Sequence, residues 1–348
     1  MKTLGATSVL LLALLLASPL TGEAQVLKPG ELCSDNSATS IATFADADLE
    51  AAVRAALSLS VREDLTCGLV SGLTALAASG PAPTRVVSGS PRWPDPDHPF
   101  ESLEGLQNLT GLTSLSLNNK WITDISALSG LTSLTVLNLH TNWISDLSAL
   151  SQLTNLTRLF LSENPLSDIS PLRGLTNLSV LRLHRHGDFK GGQLPRDFSG
   201  ARGLLHTNSI TDISALSGLT KLTDLNIHTH SISDLSPLSR LTSLLELRLA
   251  GNLVTDLSAL SGLTSLTSLE LTGNSITDLR ALSGLTSLTS LDLRYNSGLT
   301  NIQPLLDNPG FGAGDIVELR FTSVTCTDQA LLAAKGVEVR TELFSACR

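Results

Sequence analysis

The sequence predicts an α/β repeat solenoid, with a parallel sheet on its concave face, 3₁₀ turns or short helices on its convex side, and a cap at each end. Three observations carry that prediction. The chain repeats with a fixed period of 22 residues, so that Leu266 begins a segment said almost again at Leu288. Within a unit, Leu266, Leu269 and Leu271 sit among polar positions as one buried face of a short strand requires. Ile276, Leu279, Leu282 and Leu285 then recur at intervals of three, which suits a 3₁₀ turn or short helix on the opposite edge.

The register mark is the asparagine position that follows the Leu-x-Leu pair, three residues beyond its second leucine. Stepping by 22 gives Lys120, Asn142, Asn164, His186, Asn208, His230, Asn252, Asn274 and Asn296, and one step back gives His98. On this count the register never slips. The stretch from Gly187 to Gly203 has lost most of its leucines but keeps the count, so it reads as a repeat with a changed surface and not as an insertion. No coil buries its leucines alone; they must stack into one column. The asparagine is expected to point inward and satisfy backbone groups at the bend. Asp278, like Asp124, Asp146, Asp168, Asp212, Asp234 and Asp256, is placed to cap the amides of the return segment.

The pattern Leu-x-x-Leu-x-Leu-x-x-Asn-x-Ile-x-Asp-Leu-x-x-Leu resembles the leucine-rich repeats of bacterial internalin-type proteins, over roughly two thirds of the chain. The resemblance implies a right-handed leucine-rich-repeat horseshoe whose members mostly bind other macromolecules. No cell-wall sorting motif or immunoglobulin-like module follows the repeats, so anchoring and host-receptor roles are not carried over.

Residues 1–24 read as a secretory signal, with one lysine, the apolar run Val9–Ala17 and a break at Pro19. Residues 25–79 read as a helical cap with a degenerate first repeat, 80–99 as a proline-rich loop, 100–303 as the repeats, and 304–348 as a terminal repeat and cap. Asp46–Leu57 is a helix by the spacing of Leu49, Val53, Ala56 and Leu57, and is expected to cover the first strand. Toward the other end, a strand is expected over Ile316–Phe321, a helix over Thr327–Ala334 and an edge strand over Val337–Val339.

The net charge is −9, which argues against a general nucleic-acid or anionic-membrane binder. No later run is apolar enough to insert in a membrane, and the mature protein is expected to be secreted or periplasmic. Four cysteines flank the repeats, and in an oxidising compartment the expected pairs are Cys33 with Cys67 and Cys326 with Cys347, free buried thiols being the alternative.

Function is expected where the repeats differ. Counting the first leucine of a unit as one, the fifth position reads Ser116, Asn138, Phe160, Arg182, Leu204, Asn226, Arg248, Glu270 and Asp292. The seventh reads Asn118, His140, Ser162, His184, His206, His228, Ala250, Thr272 and Arg294. The face is basic in its middle and more acidic toward its C-terminal third. All 7 histidines fall in the seventh position or at the register mark, and His184, His206 and His228 are expected on adjacent strands. They are read as polar members of a binding face, a shared metal being the weaker alternative because nothing in the sequence shows orienting partners. His98, His186 and His230 are read as stand-ins for the inward asparagine.

The expected protein-binding set is therefore Arg158, Phe160, Arg182, His184, Arg185, Arg202, Leu204, His206 and His228, with Trp121 and Trp143. The tryptophans lie one unit apart, where they can stack as an interaction or polysaccharide-binding patch or simply pack the side wall. Arg182, Arg185, Lys190, Arg196 and Arg202 form a basic cluster suited to an anionic partner. No catalytic constellation, phosphate loop or cofactor motif stands out, and a hydrolase is a distant alternative.

Overall fold

The structure is a computed structural model that describes residues 24–78, 100, 102–185 and 209–341. Among them, eleven strands form one parallel, open sheet in sequence order. They are β1 (Ala75–Ala77), β2 (Ser114–Ser116), β3 (Val136–Asn138), β4 (Arg158–Phe160), β5 (Val180–Arg182), β6 (Asp224–Asn226), β7 (Glu246–Arg248), β8 (Ser268–Glu270), β9 (Ser290–Asp292), β10 (Ile316–Glu318) and β11 (Glu338–Arg340). Each pairs with the next so that the middle residues align, Leu115 with Leu137, Leu137 with Leu159, Leu159 with Leu181. These leucines, continued by Leu225, Leu247, Leu269, Leu291 and Val317, are at most 1% exposed. They form the shared column that the repeat demands, a core no single coil could close.

The register-mark asparagines are the polar counterpart of that column. Asn164 accepts from the amide of Ile144 at 3.0 Å and donates to the carbonyls of Leu139 and Leu161, each at 2.9 Å. Asn142, Asn252, Asn274 and Asn296 bond in the same way, each tying its own coil to the one before. His230 takes that role with a ring: Nδ1 accepts from the Ile210 amide at 3.4 Å, and Nε2 donates to the Leu183 carbonyl at 2.9 Å. The return turns are capped as the aspartates predict, since Asp124, Asp146, Asp168, Asp212, Asp234 and Asp256 each accept from the amide of the serine two residues on, at 2.7 to 2.8 Å.

One expectation is overturned. Leu181 of β5 pairs directly with Leu225 of β6, and the amide of Asp224 bonds the carbonyl of Ser179. The hydroxyl of Thr223 reaches the same carbonyl across 44 residues, twice the repeat. From β3 on, the other lateral threonines and serines of this column, such as Thr157 to Thr135, span 22. A strand from 202–204 therefore has no place between β5 and β6, and the stretch counted as a changed repeat contributes no strand to the sheet there. The physical reason is that the return segment at Ile210–Leu222 closes the coil that β5 begins; its 3₁₀ turn Ser214–Gly218 stacks on Ser170–Gly174.

Caps sit at both ends. Helix α1 (Ala47–Ala56) buries Leu49 and Val53 and packs over β1, with Asp46 capping it by accepting from the Leu49 amide at 2.8 Å. Helix α2 (Cys67–Ser71) follows, and Cys33 and Cys67 are disulfide-bonded with Cα atoms 5.3 Å apart. After the last full repeat come helix α3 (Gln303–Asp307), β10, helix α4 (Cys326–Ala334) and β11. Strand β10 is shorter than expected, α4 starts one residue earlier, and Cys326 is disulfide-bonded while its expected partner Cys347 lies outside the described residues. Lys335 Nζ ties this cap together, donating to the carbonyls of Leu305, Leu306 and Asn308 at 3.2, 2.9 and 2.6 Å.

Among the described residues the eighth position of every coil but that of β5, where Arg185 stands, takes a left-handed backbone, with φ between 57° and 66° at Asn119, Thr141, Glu163, Thr229, Gly251, Gly273, Tyr295 and Phe321. Only two of these are glycine. A β-branched residue pays sterically there, so Thr141→Gly is expected to raise unfolding free energy by about 0.5–1 kcal/mol in urea melts. In the same assay Asn164→Ala is expected to cost about 3 kcal/mol, because one buried backbone amide and two buried carbonyls lose their partner.

Candidate functional site

Strand alternation sends the third, fifth and seventh positions to the concave face, and lateral pairing sets them in columns. Val136, Arg158 and Val180 align in the third column, followed across the β5–β6 junction by Asp224 and Glu246. Asn138, Phe160, Arg182, Asn226, Arg248, Glu270 and Asp292 align in the fifth.

Phe160 is the hub of the N-terminal half. The guanidinium of Arg158 lies 5.4 Å from its ring centroid and that of Arg182 lies 5.8 Å away, so two cations share one aromatic ring. Arg182 is then tied sideways: its Nη2 meets Asp224 Oδ2 at 2.7 Å, Asp224 Oδ1 meets Arg248 Nη1 at 3.2 Å, and Arg248 Nη2 meets Glu246 Oε2 at 2.5 Å. The middle of the face is thus basic by count but largely paired. Asp224 and Glu246 do that pairing, and the fifth and seventh columns did not reveal them; the third column contains the signal.

The histidines cluster differently from expectation. His184 and His228 stand on neighbouring strands, stacked with ring centroids 4.7 Å apart and planes 18° from parallel. His206 lies outside the described residues and the place expected for it, between these two, does not exist. His140 is 6.2 Å from His184. Hydroxyls hold the paired rings by Nδ1, Ser162 at 2.9 Å for His184 and Thr229 at 3.2 Å for His228. Burial, and then the neighbouring His228, push His184 down to about 4, and burial does the same to His230. Among the described residues no group of three histidine, cysteine or acidic side chains is placed to hold a metal ion.

Other members of the expected set are dispersed. Arg185 is only 9% exposed. Arg202, Leu204, His206, Lys190 and Arg196 lie outside the described residues. Trp143 is 43% exposed and Trp121 half-buried on a left-handed backbone, with no ring contact between them among the described residues. Beyond β7 the face turns acidic. Glu270 is raised above the usual carboxylate value by burial and then by Asp292, while Asp292 pairs with Arg294 at 2.6 Å.

A single parallel sheet wound with a leucine column, an inward asparagine ladder and a varied concave face defines a leucine-rich-repeat solenoid. Residues 110–152, 154–189, 242–281 and 264–307 match the family model for leucine rich repeats in two copies. Internalin C2 from Listeria monocytogenes is 31% identical, matching 70% of this chain and 91% of its own with a TM-score of 0.55. Internalin F from the same organism is 28% identical, matching 87% and 92% with a TM-score of 0.57. No curated protein matches the sequence. The chain belongs to the bacterial internalin-type leucine-rich-repeat proteins.

A pH dependence follows from the buried rings. Because His184 and His230 titrate at about 4 when folded, against an ordinary 6.5, the unfolded chain takes up their protons first as pH falls. Their contribution is present above 6.5 and is lost as pH drops through the folded value. Melting temperature is expected to fall from pH 7 to pH 4.5, and less steeply in His184→Gln, as checked by thermal scans in matched buffers.

Proposed function

We propose that this protein is an exported, non-enzymatic recognition module that binds another protein through its concave face, centred on Phe160, Arg182 and His184. The observation that carries the reading is the contrast between columns. Inward positions are almost uniformly leucine, whereas the outward patch gathers a phenylalanine flanked by two guanidiniums and a stacked histidine pair. Aromatic and arginine side chains of that kind dominate the energetics of protein interfaces. Export is supported by the Cys33–Cys67 disulfide and by the disulfide-bonded state of Cys326. Among the described residues no helix is long and apolar enough to cross a membrane.

The test is crosslinking capture from the producing cells' surface and medium fractions, comparing the unmodified chain with Phe160→Ala/His184→Ala and with the control Ser243→Arg, at an exposed turn residue outside the strands. Capture is expected to fall in the double variant and persist in the control, with both melting within a few degrees of the parent. Equal capture by all three moves the binding surface off the concave face.

A further inference from the structure

The concave charges do not merely vary; most of them cancel locally. Arg182, Asp224, Arg248 and Glu246 form one linked set across β5 to β7. Asp292 is held by Arg294, and Glu318 by Arg320 and Arg340. Of the charged side chains at the outward strand positions from β4 to β9, two make no ion pair among the described residues. One is Arg158 on β4, exposed and leaning on the Phe160 ring. The other is Glu270 on β8, half-buried beside Asp292, with Arg248 and Arg294 near enough to offset that repulsion in part without forming an ion pair.

Four lateral steps separate these strands in the sheet order. At the usual interstrand spacing that is about 19 Å, which an extended segment covers in about six residues and a helix in about thirteen. Between the two poles the charged side chains at the described outward strand positions are paired, so among the described residues a ligand meets unpaired strand charge only at its ends. Unpaired charge at the edges of a patch governs orientation and rate of docking more than raw affinity.

We infer that the protein partner lies along the sheet axis with an acidic side chain over Arg158 and a basic side chain over Glu270, in that order. This rests on the concave-face reading above and adds to it a ligand class and a direction. A partner segment with the opposite charge order meets like charge at both poles. The Phe160 ring takes an apolar neighbour of the acidic residue, since the two guanidiniums already flank it.

The experiment is selection of a random 16-residue phage-displayed peptide library on the immobilised full chain, followed by titration of the strongest peptide. The expected result is enrichment of sequences with an acid and a base held apart, and roughly threefold to tenfold weaker binding by Arg158→Glu and by Glu270→Arg alone. The double reversal Arg158→Glu/Glu270→Arg is expected to recover binding to the charge-swapped peptide. Among the described residues neither side chain makes an ion pair, so unchanged melting temperatures separate lost binding from lost folding. Peptides that need Phe160 but show no separated charge pair, or that ignore either reversal, overturn the inference alone. Peptides indifferent to Phe160→Ala overturn the concave-face reading instead, and a library that enriches nothing overturns both.

Discussion

A buried amide side chain that must be satisfied from two coils at once sets the geometry of this molecule. Asn164 and its equivalents sit where solvent cannot reach, so every unmade bond there would carry the full desolvation cost. Meeting that demand requires each coil to bring a carbonyl, and the coil before it an amide and a carbonyl, to the same point. Coils of equal length do so and coils of unequal length do not. The fixed repeat, the in-register strands and the aligned outward columns all follow from that requirement. The leucine column provides most of the burial, but leucines tolerate repacking in a way that a bonded amide does not.

Among the described residues, Lys120 and His230 stand in for the asparagine of this ladder at informative places. Lys120 replaces asparagine in the coil that follows 79–99, and its Nζ lies 4.8 Å from the Phe100 ring centroid instead of bonding carbonyls. His230 replaces it in the coil after 186–208, where it reaches back to Leu183 across 47 residues. An imidazole offers one donor and one acceptor where the amide offers two donors and an acceptor. It satisfies the junction with fewer bonds, and its longer reach suits a coil whose two halves come from distant parts of the sequence.

Most of the fold was legible because its determinants are local. Leucine alternation, the aspartate before each return turn and the inward asparagine are each short-range signals, and all appear in place. The junction between β5 and β6 was not legible, for an arithmetical reason. The chain from Ser179 to Thr223 is 44 residues long, a multiple of the period, so counting register marks cannot tell two stacked coils from one coil and an excursion. Loss of leucines between Gly187 and Gly203 was the only sequence sign, and a hydrophobic column cannot be continued by residues that do not supply one. At β1–β2 the corresponding span is 39 residues, which is not a multiple, and there the interruption was visible as a proline-rich stretch. In the site the same limit operated. Columns predicted which side chains face outward, but the pairing of Arg182 with Asp224 depends on which strand is next to which, and that is topology.

The rim shows how the scaffold tolerates variety where the core does not. Every described eighth position but Arg185 bends left-handed, yet threonine, glutamate, tyrosine and phenylalanine occupy it as well as glycine. Each non-glycine residue there stores about 1 kcal/mol or more of backbone strain. That strain is sustainable because the strand hydrogen bonds on one side and the buried amide on the other over-determine the bend. At Tyr295 and Phe321 the rings also stack, 4.3 Å apart, recovering part of the strain as side-chain contact. A backbone held this firmly from within lets the outward side chains change without changing the path of the chain. That independence is what allows a nearly uniform interior to carry a concave surface as uneven as the one from Arg158 to Glu270.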